Sequence, residues 1–194
     1  PLVIGNTEVK SKRKQKEFFD PSQLNNPNKA DIPAVYSVAL ATKTDVIKAV
    51  KIAKDDPSNW SETTLLERHE LLSRAALNMR KKRGDLIGVA AAVCGKTFYE
   101  TDSEISEAID FIEYYPHSLR LLEEQTSLKL SPMGVVLVIP PWNFPIAIPT
   151  GGVAAALACG NTVLFKPSPL AFPLGAEIVN CFWDSGIPRE ALQL

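Results

Sequence analysis

Residues 134–168 read GVVLVIPPWNFPIAIPTGGVAAALACGNTVLFKPS. Gly134–Ile139 is short, wholly apolar and rich in β-branched side chains, the composition of a strand covered on both faces in a parallel sheet. Thr162–Phe165 is a second such run. Between them, residues 149–159 read as a small-residue helix closed by Gly160-Asn161. The roughly two dozen residues separating the strand starts exceed the dozen or so that a parallel crossover needs, so the stretch predicts a βαβ unit, right-handed by default. Downstream, a helix over about Leu174–Asp184 ends at Gly186 with Pro188 beyond it, and Leu192–Leu194 begins a third strand. The expected class is α/β, with the first half of a doubly wound, Rossmann-like parallel sheet.

Upstream, residues 44–125 predict a layer of helices. Val46, Val50 and Ala53 fall at helical spacing, with Thr44 as N-cap and Pro57 as terminator. Thr64 and Glu67 spell a capping box ahead of the apolar stripe Leu65, Leu72, Ala76 and Met79, and Arg80–Arg83 suits the negative end of that helix dipole. A third helix, Asp85–Cys94, stops at Gly95. A fourth carries Ile105, Ala108, Ile109, Ile112 and Tyr115 on one side and is ended or kinked by Pro116. Residues 1–43 are an extended or loop arm whose basic run (Lys10, Lys12, Arg13, Lys14, Lys16) reads as solvated loop rather than a nucleic-acid patch. Residues 126–194 hold the start of the Rossmann-like unit.

Composition excludes several classes. At 194 residues and 45% hydrophobic content the chain can bury a core. Its formal charge of -1 draws it neither to nucleic acid nor to an acidic membrane. The apolar stretch from Gly134 to Cys159 is interrupted by Pro140, Pro141, Pro145 and Pro149, so it does not span a bilayer. Cys94, Cys159 and Cys181 are odd in number, widely spaced and set among apolar residues. They read as reduced core thiols of a cytoplasmic protein. His69 and His117 come with no CxxC or HExxH spacing, so no metal is expected.

Chemistry concentrates past the strand ends, where open α/β sheets bind ligands. In Pro141-Trp142-Asn143-Phe144-Pro145, prolines and aromatic rings fix the backbone around one amide. Asn143 is either an aimed donor for charge developing on a carbonyl oxygen or a side chain satisfying a backbone group in a proline-rich turn. Lys166, directly after the second strand, can reach nucleotide hydroxyls or phosphate, with Ser168 as a further donor or acceptor. Taken alone, an ordinary solvated lysine is the commoner explanation. No GxGxxG occurs, and Gly151-Gly152 reads as a close helix-to-sheet contact.

Residues 134–168 closely resemble the aldehyde dehydrogenase superfamily. DVIKAVKIAK (residues 45–54), the helix of Glu67 and Arg68, Cys94-Gly95-Lys96-Thr97 and EAIDFIEYY (residues 107–115) have counterparts in the same order. EAIDFIEYY and CFWDSGIPREALQL (residues 181–194) are most similar to the glutamate-semialdehyde (pyrroline-5-carboxylate) dehydrogenases, particularly the carboxyl-terminal module of bifunctional proline-utilisation proteins. The resemblance implies that Asn143 is the side-chain half of an oxyanion hole. Ile139, Pro140, Pro141 and Trp142 would line the nicotinamide-ribose side of the cofactor site, and Lys166 would bind the adenosine-ribose hydroxyls. It further implies that Glu107 recognises a substrate ammonium, although a solvent-facing glutamate is the commoner use of such a position. The implied cofactor is NAD or NADP, NAD favoured. The implied reaction is cysteine-thiolate attack on a small-molecule aldehyde, hydride transfer and thioester hydrolysis. The implied partners are a second copy of the chain or an upstream proline dehydrogenase module.

Three departures qualify this expectation. Pro169 stands where many NAD-preferring members carry a glutamate, which leaves NAD against NADP open. The segment from Tyr115 to Gly134 is shorter than the family's two-stranded oligomerisation arm by about ten residues. The chain also stops before the family's Gly-rich loop, general-base glutamate and cysteine nucleophile, and none of its own cysteines matches that nucleophile. The chain alone is therefore expected to be inactive. Two other classes remain open on sequence: a non-catalytic nucleotide-binding pseudoenzyme and a structural or assembly fragment.

Overall fold

The chain, in a computed structural model, is described over residues 2–9, 15–20, 23, 25, 27, 33–125 and 127–194. A hairpin of β1 (Leu2–Ile4) and β2 (Thr7–Val9) is followed by the antiparallel pair β3 (Gln15–Phe18) and β4 (Tyr36–Ala39). Helices α1 (Lys43–Asp55), α2 (Leu65–Lys81), α3 (Arg83–Cys94) and α4 (Phe98–Glu123) come next. Then β5 (Val135–Val138), α5 (Ala147–Ala158), β6 (Thr162–Phe165), α6 (Phe172–Trp183) and β7 (Leu192–Gln193) complete the order. Of the predicted basic run, only Lys16 lies within the described residues; it is in β3, with its ammonium 5.1 Å from the Phe18 ring centroid.

The parallel sheet appears where expected. Val135–Val138 stand in parallel register with Thr162–Phe165, and β7 extends the order to β5-β6-β7. Val3 and Leu194 exchange both main-chain hydrogen bonds (2.7 and 3.2 Å), the pattern of an antiparallel pair, so β1 continues the sheet past β7. Main-chain donors that would otherwise face solvent at that edge are thereby paired.

Side-chain alternation divides the sheet between two layers. Val136, Val138, Val163, Phe165 and Leu192 join the core with α5 and α6, behind which α2 and α4 pack. On the opposite face lies α1, tied down by the Thr162 hydroxyl donating to Ala53 O (2.8 Å) and Gln193 Nε2 donating to Ala49 O (3.0 Å). The β5 strand is not covered on both faces as its apolar composition suggested. Helix α1 sits chiefly over β6, and Leu137 is left 57% exposed.

Other details of the helical layer also differ from the sequence reading. Helix α1 is capped by Thr42, not Thr44, because Asp45 is placed to complete a box: Asp45 N donates to Thr42 Oγ1 (3.2 Å) and Thr42 N to Asp45 Oδ2 (2.8 Å). Its inward side is set by the bonds to the sheet, so Val46 and Val50 face outward, 51% and 41% exposed. Thr64 and Glu67 form the expected box. Of the two alternatives at Pro116, an end to the helix is excluded, since α4 runs on to Glu123. Proline inside a helix costs about 3 kcal/mol, through a lost hydrogen bond and a clash of its ring with the preceding turn. Here Pro116 is buried, and packing of α4 on α2 and α5 outweighs that cost. Cys159 is exposed rather than core, because as C-cap of α5 it has left the buried face; Cys181 is buried and Cys94 half-buried.

Candidate active site at the carboxyl ends of the parallel strands

Lys166 N donates to Val138 O (2.9 Å), so β5 and β6 release their chains side by side at one end of the sheet. From β5 emerges the segment Ile139–Pro145. Ile139, Pro141, Trp142, Asn143 and Phe144 are exposed, whereas Pro140 and Pro145 are buried and anchor the segment at both ends. From β6 emerges Lys166, with its side chain in solvent.

Among the described residues, the Asn143 side-chain amide hydrogen-bonds to nothing. The turn is held through its main chain instead: Lys96 Nζ donates to Asn143 O (3.1 Å) and lies 4.7 Å from the Phe144 ring centroid. The amide is therefore displayed, with its donors free for an incoming carbonyl oxygen. The Lys166 ammonium forms no ion pair among the described residues, and it borders a mainly apolar cavity of about 260 Å³ lined by Val46, Ala49, Leu137 and Leu164, with Asp45 also in its wall. Ser168 has a local task, its Oγ accepting from Leu170 N (3.4 Å) and capping the short turn Pro169–Ala171. Glu107 stands exposed on α4, one turn beyond Glu104.

The sheet thus brings together Ile139–Phe144 and Lys166, while Glu107 stands on a different element. Close packing beneath them relies on glycine. A Cβ on Gly152 would meet Val138 Cγ1 at 3.1 Å, and one on Gly151 would meet the Phe111 ring at 3.0 Å. The crossover helix approaches β5 and α4 because both positions lack side chains.

Glu104 received no role from the sequence, yet it is the most deeply buried carboxylate among the described residues, at 2% exposure. Its signal was present as an acid on the inward side of α4, at helical spacing with Thr101 and Ala108, both buried. The three thiols offer no ready nucleophile here. Burial raises Cys94 above the ordinary thiol value and pushes Cys181 up to about 11, and partial desolvation raises even the exposed Cys159 despite the opposing charge of Arg68. All three are thus held toward the protonated, unreactive form at neutral pH.

Comparison with known proteins gives the family of the chain. The aldehyde dehydrogenase family profile matches residues 17–194. The chain is 38% identical over 157 residues to the bifunctional protein PutA of Escherichia coli K12, covering 81% of this chain and 12% of that protein. It is 32% identical over 202 aligned residues to 1-pyrroline-5-carboxylate dehydrogenase of Geobacillus thermodenitrificans, covering 99% of this chain and 38% of that protein. The solved structure of 1-pyrroline-5-carboxylate dehydrogenase from Thermus with bound NAD superimposes with a TM-score of 0.88 at 30% identity, over 100% of this chain and 38% of that one. The chain therefore spans well under half the length of these relatives and, by profile, sequence and fold alike, belongs to the aldehyde dehydrogenase family.

Proposed function

We propose that these residues form part of the cofactor-binding domain of an NAD(P)-dependent aldehyde dehydrogenase that oxidises L-glutamate γ-semialdehyde to glutamate. The observation that carries it is the pairing of two free polar ends, the Asn143 amide and the Lys166 ammonium, at the carboxyl ends of adjacent parallel strands. A dinucleotide fits what surrounds them. Lys166 forms no ion pair among the described residues, the one carboxylate in the cavity wall, Asp45, accepts from Thr42 at the start of α1, and Ile139 and Trp142 present exposed apolar surface. The bound cofactor would accept hydride from the aldehyde carbon.

Within that reaction the Asn143 amide donates to the aldehyde oxygen as negative charge develops on it, a contribution of about 3–4 kcal/mol to lowering the barrier. Lys166 donates to ribose hydroxyls and fixes the adenosine end. Ile139, Pro140, Pro141 and Trp142 flank the nicotinamide-ribose end, and Ser168 supports the turn behind Lys166. Glu107 pairs with the substrate ammonium. The substrate class is supported by the relatives named 1-pyrroline-5-carboxylate dehydrogenase and PutA. The bifunctional PutA relatives support an upstream proline dehydrogenase module as the natural partner.

By themselves, residues 1–194 are proposed to catalyse nothing, because none of their cysteines matches the family's nucleophile, a reading supported by the raised values of all three thiols. The test has two parts. The enzyme carrying this segment should form NADH or NADPH on glutamate semialdehyde, and calorimetric titration of the 194-residue chain with NAD should show heat of binding that Lys166→Ala abolishes. Aldehyde oxidation by the 194-residue chain after all three cysteines are replaced would overturn the inert-fragment reading. No activity on semialdehydes in the longer enzyme would overturn the function.

A further inference from the structure

Helix α5 begins directly behind the Trp-Asn-Phe turn, yet its own N-cap, Ile146, has no side chain able to accept a hydrogen bond. The first amides of a helix need acceptors from elsewhere. Here they come from another helix: Glu104 Oε1 accepts from Ile146 N (2.7 Å) and Ala147 N (3.0 Å). The other oxygen, Oε2, is ion-paired with Lys96 Nζ at 2.6 Å, with the glutamate side chain 1% exposed and the lysine side chain 14%. The same ammonium donates to Asn143 O and sits over the Phe144 ring. Among the described residues, no other side chain hydrogen-bonds to residues 141–147.

We propose that Glu104 and Lys96 are positioning residues: together they clamp the turn at Asn143 O and at Ile146–Ala147, and thereby set where the Asn143 amide points. A carboxylate suits the place, since two helix-terminal amides and an ammonium converge on it. The ammonium suits its own place because it serves two acceptors, Glu104 Oε2 and Asn143 O, from one atom. The Asn143 side chain is thus left unengaged while its main chain is held. The catalytic consequence rests on the proposed function; the clamp itself does not.

The test uses Lys96→Met, Lys96→Arg and Glu104→Gln. Lys96→Met removes the donor to Asn143 O, and Lys96→Arg keeps charge and donors. Glu104→Gln leaves an acceptor for the two amides but turns an NH2 toward Lys96, which makes it the milder second variant if Lys96→Met folds poorly. In the 194-residue chain, hydrogen exchange followed by NMR should speed at Ile146 and Ala147 in Lys96→Met, and the Asn143 side-chain resonances should shift, while Ile178 and Val179 in α6 keep their protection. In the longer enzyme, kcat should fall about 10- to 100-fold with KM for NAD unchanged, the pattern of a misaimed transition-state donor, and Lys96→Arg should restore most of it. Unchanged exchange and resonances in both Lys96→Met and Glu104→Gln would overturn the proposal. So would exchange that speeds equally throughout, or a local change that leaves kcat intact. If exchange changes locally but the wild-type enzyme oxidises no aldehyde, the clamp stands and the proposed function falls.

Discussion

Two glycine-to-alanine substitutions of identical chemistry are expected to move stability in opposite directions. Gly175 lies in the first turns of α6, where an added Cβ would sit 2.6 Å from Pro167 Cβ and 2.7 Å from Pro167 Cγ. Carbon atoms prefer separations of about 3.5–4.0 Å, so helix or proline must move by about 1 Å. The neighbour is a buried pyrrolidine ring and cannot swing aside as a flexible side chain would. Overpacking of this kind costs about 1–3 kcal/mol, and the better helix propensity of alanine returns up to about 1 kcal/mol. Because the ring is rigid the cost falls at the upper end of the overpacking range, so the net loss is about 2 kcal/mol, or about 4–8 °C in Tm for a chain of this size. Gly88, exposed in the interior of α3, has no atom within 4 Å of such a Cβ. There only propensity acts, and Gly88→Ala should gain about 0.5–1 kcal/mol. Urea unfolding of both variants, followed by circular dichroism, supplies the comparison. A Gly175→Ala midpoint that rises alongside Gly88→Ala would refute the close-approach reasoning.

Other expectations follow from single interactions. Asn161→Ala removes the acceptor of Met133 N and Gly134 N (2.7 and 2.9 Å) and the donor to Ala156 O (3.1 Å). Met133 and Gly134 are exposed to water and Ala156 O keeps its bond from Asn161 N, so only the net worth of the lost bonds is at stake, and urea unfolding should register a loss of about 1–3 kcal/mol. Burial pushes the Asp56 carboxyl up, but the amides of Ser61 and Trp60 and the hydroxyls of Ser61 and Ser58 outweigh it and hold the group below its ordinary range. A depressed folded value means the contribution is full above about pH 4 and lost as pH falls below it; acid titration of stability should be flatter in Asp56→Asn. A thiol reagent at neutral pH should modify exposed Cys159 first and buried Cys181 only on unfolding, as mass spectrometry of timed aliquots would report. In the longer enzyme, Asn143→Ala should lower kcat about 100- to 1,000-fold with no change in unfolding midpoint, because the amide bonds to no described residue.

What the sequence discloses and what it withholds follow a physical division. Thr64 with Glu67 was legible because a capping box is complete within one turn, and Thr162–Phe165 because a β-branched run needs no distant partner to be extended. The placement of Asn143 and Lys166 followed from the same local logic, since a strand's carboxyl end is defined by the strand. By contrast, the outward turn of Val46 and Val50 was decided by bonds from Thr162 and Gln193, more than a hundred residues away. Pro116 inside α4 is a propensity overruled by packing, and exposed Leu137 is an apolar residue whose cover cannot be inferred from composition. Glu104 was the hardest, for an acid in a helix is ordinarily solvated. Its partners Ile146 and Ala147 come 42 and 43 residues later.

The two ends of the candidate site are held by different kinds of force. Lys166 is placed by main chain: it follows β6 without interruption, its amide bonds to Val138 O, and the next residue, Pro167, is wedged against the bare backbone of Gly175. Such a placement depends on register and on the absence of a side chain, and ionic strength hardly touches it. Asn143 lies five residues beyond β5, where no sheet hydrogen bond reaches, so its placement depends on charge, the Glu104–Lys96 pair set behind the turn and largely away from water. A pair so buried is screened little by salt, yet it is costly to leave half made. One end of the site is therefore as firm as the sheet, while the other, strung between two buried prolines, depends on one ion pair and the main-chain bonds that pair makes. That asymmetry makes the Asn143 turn the element whose aim a modest substitution can change without unfolding the sheet beneath it.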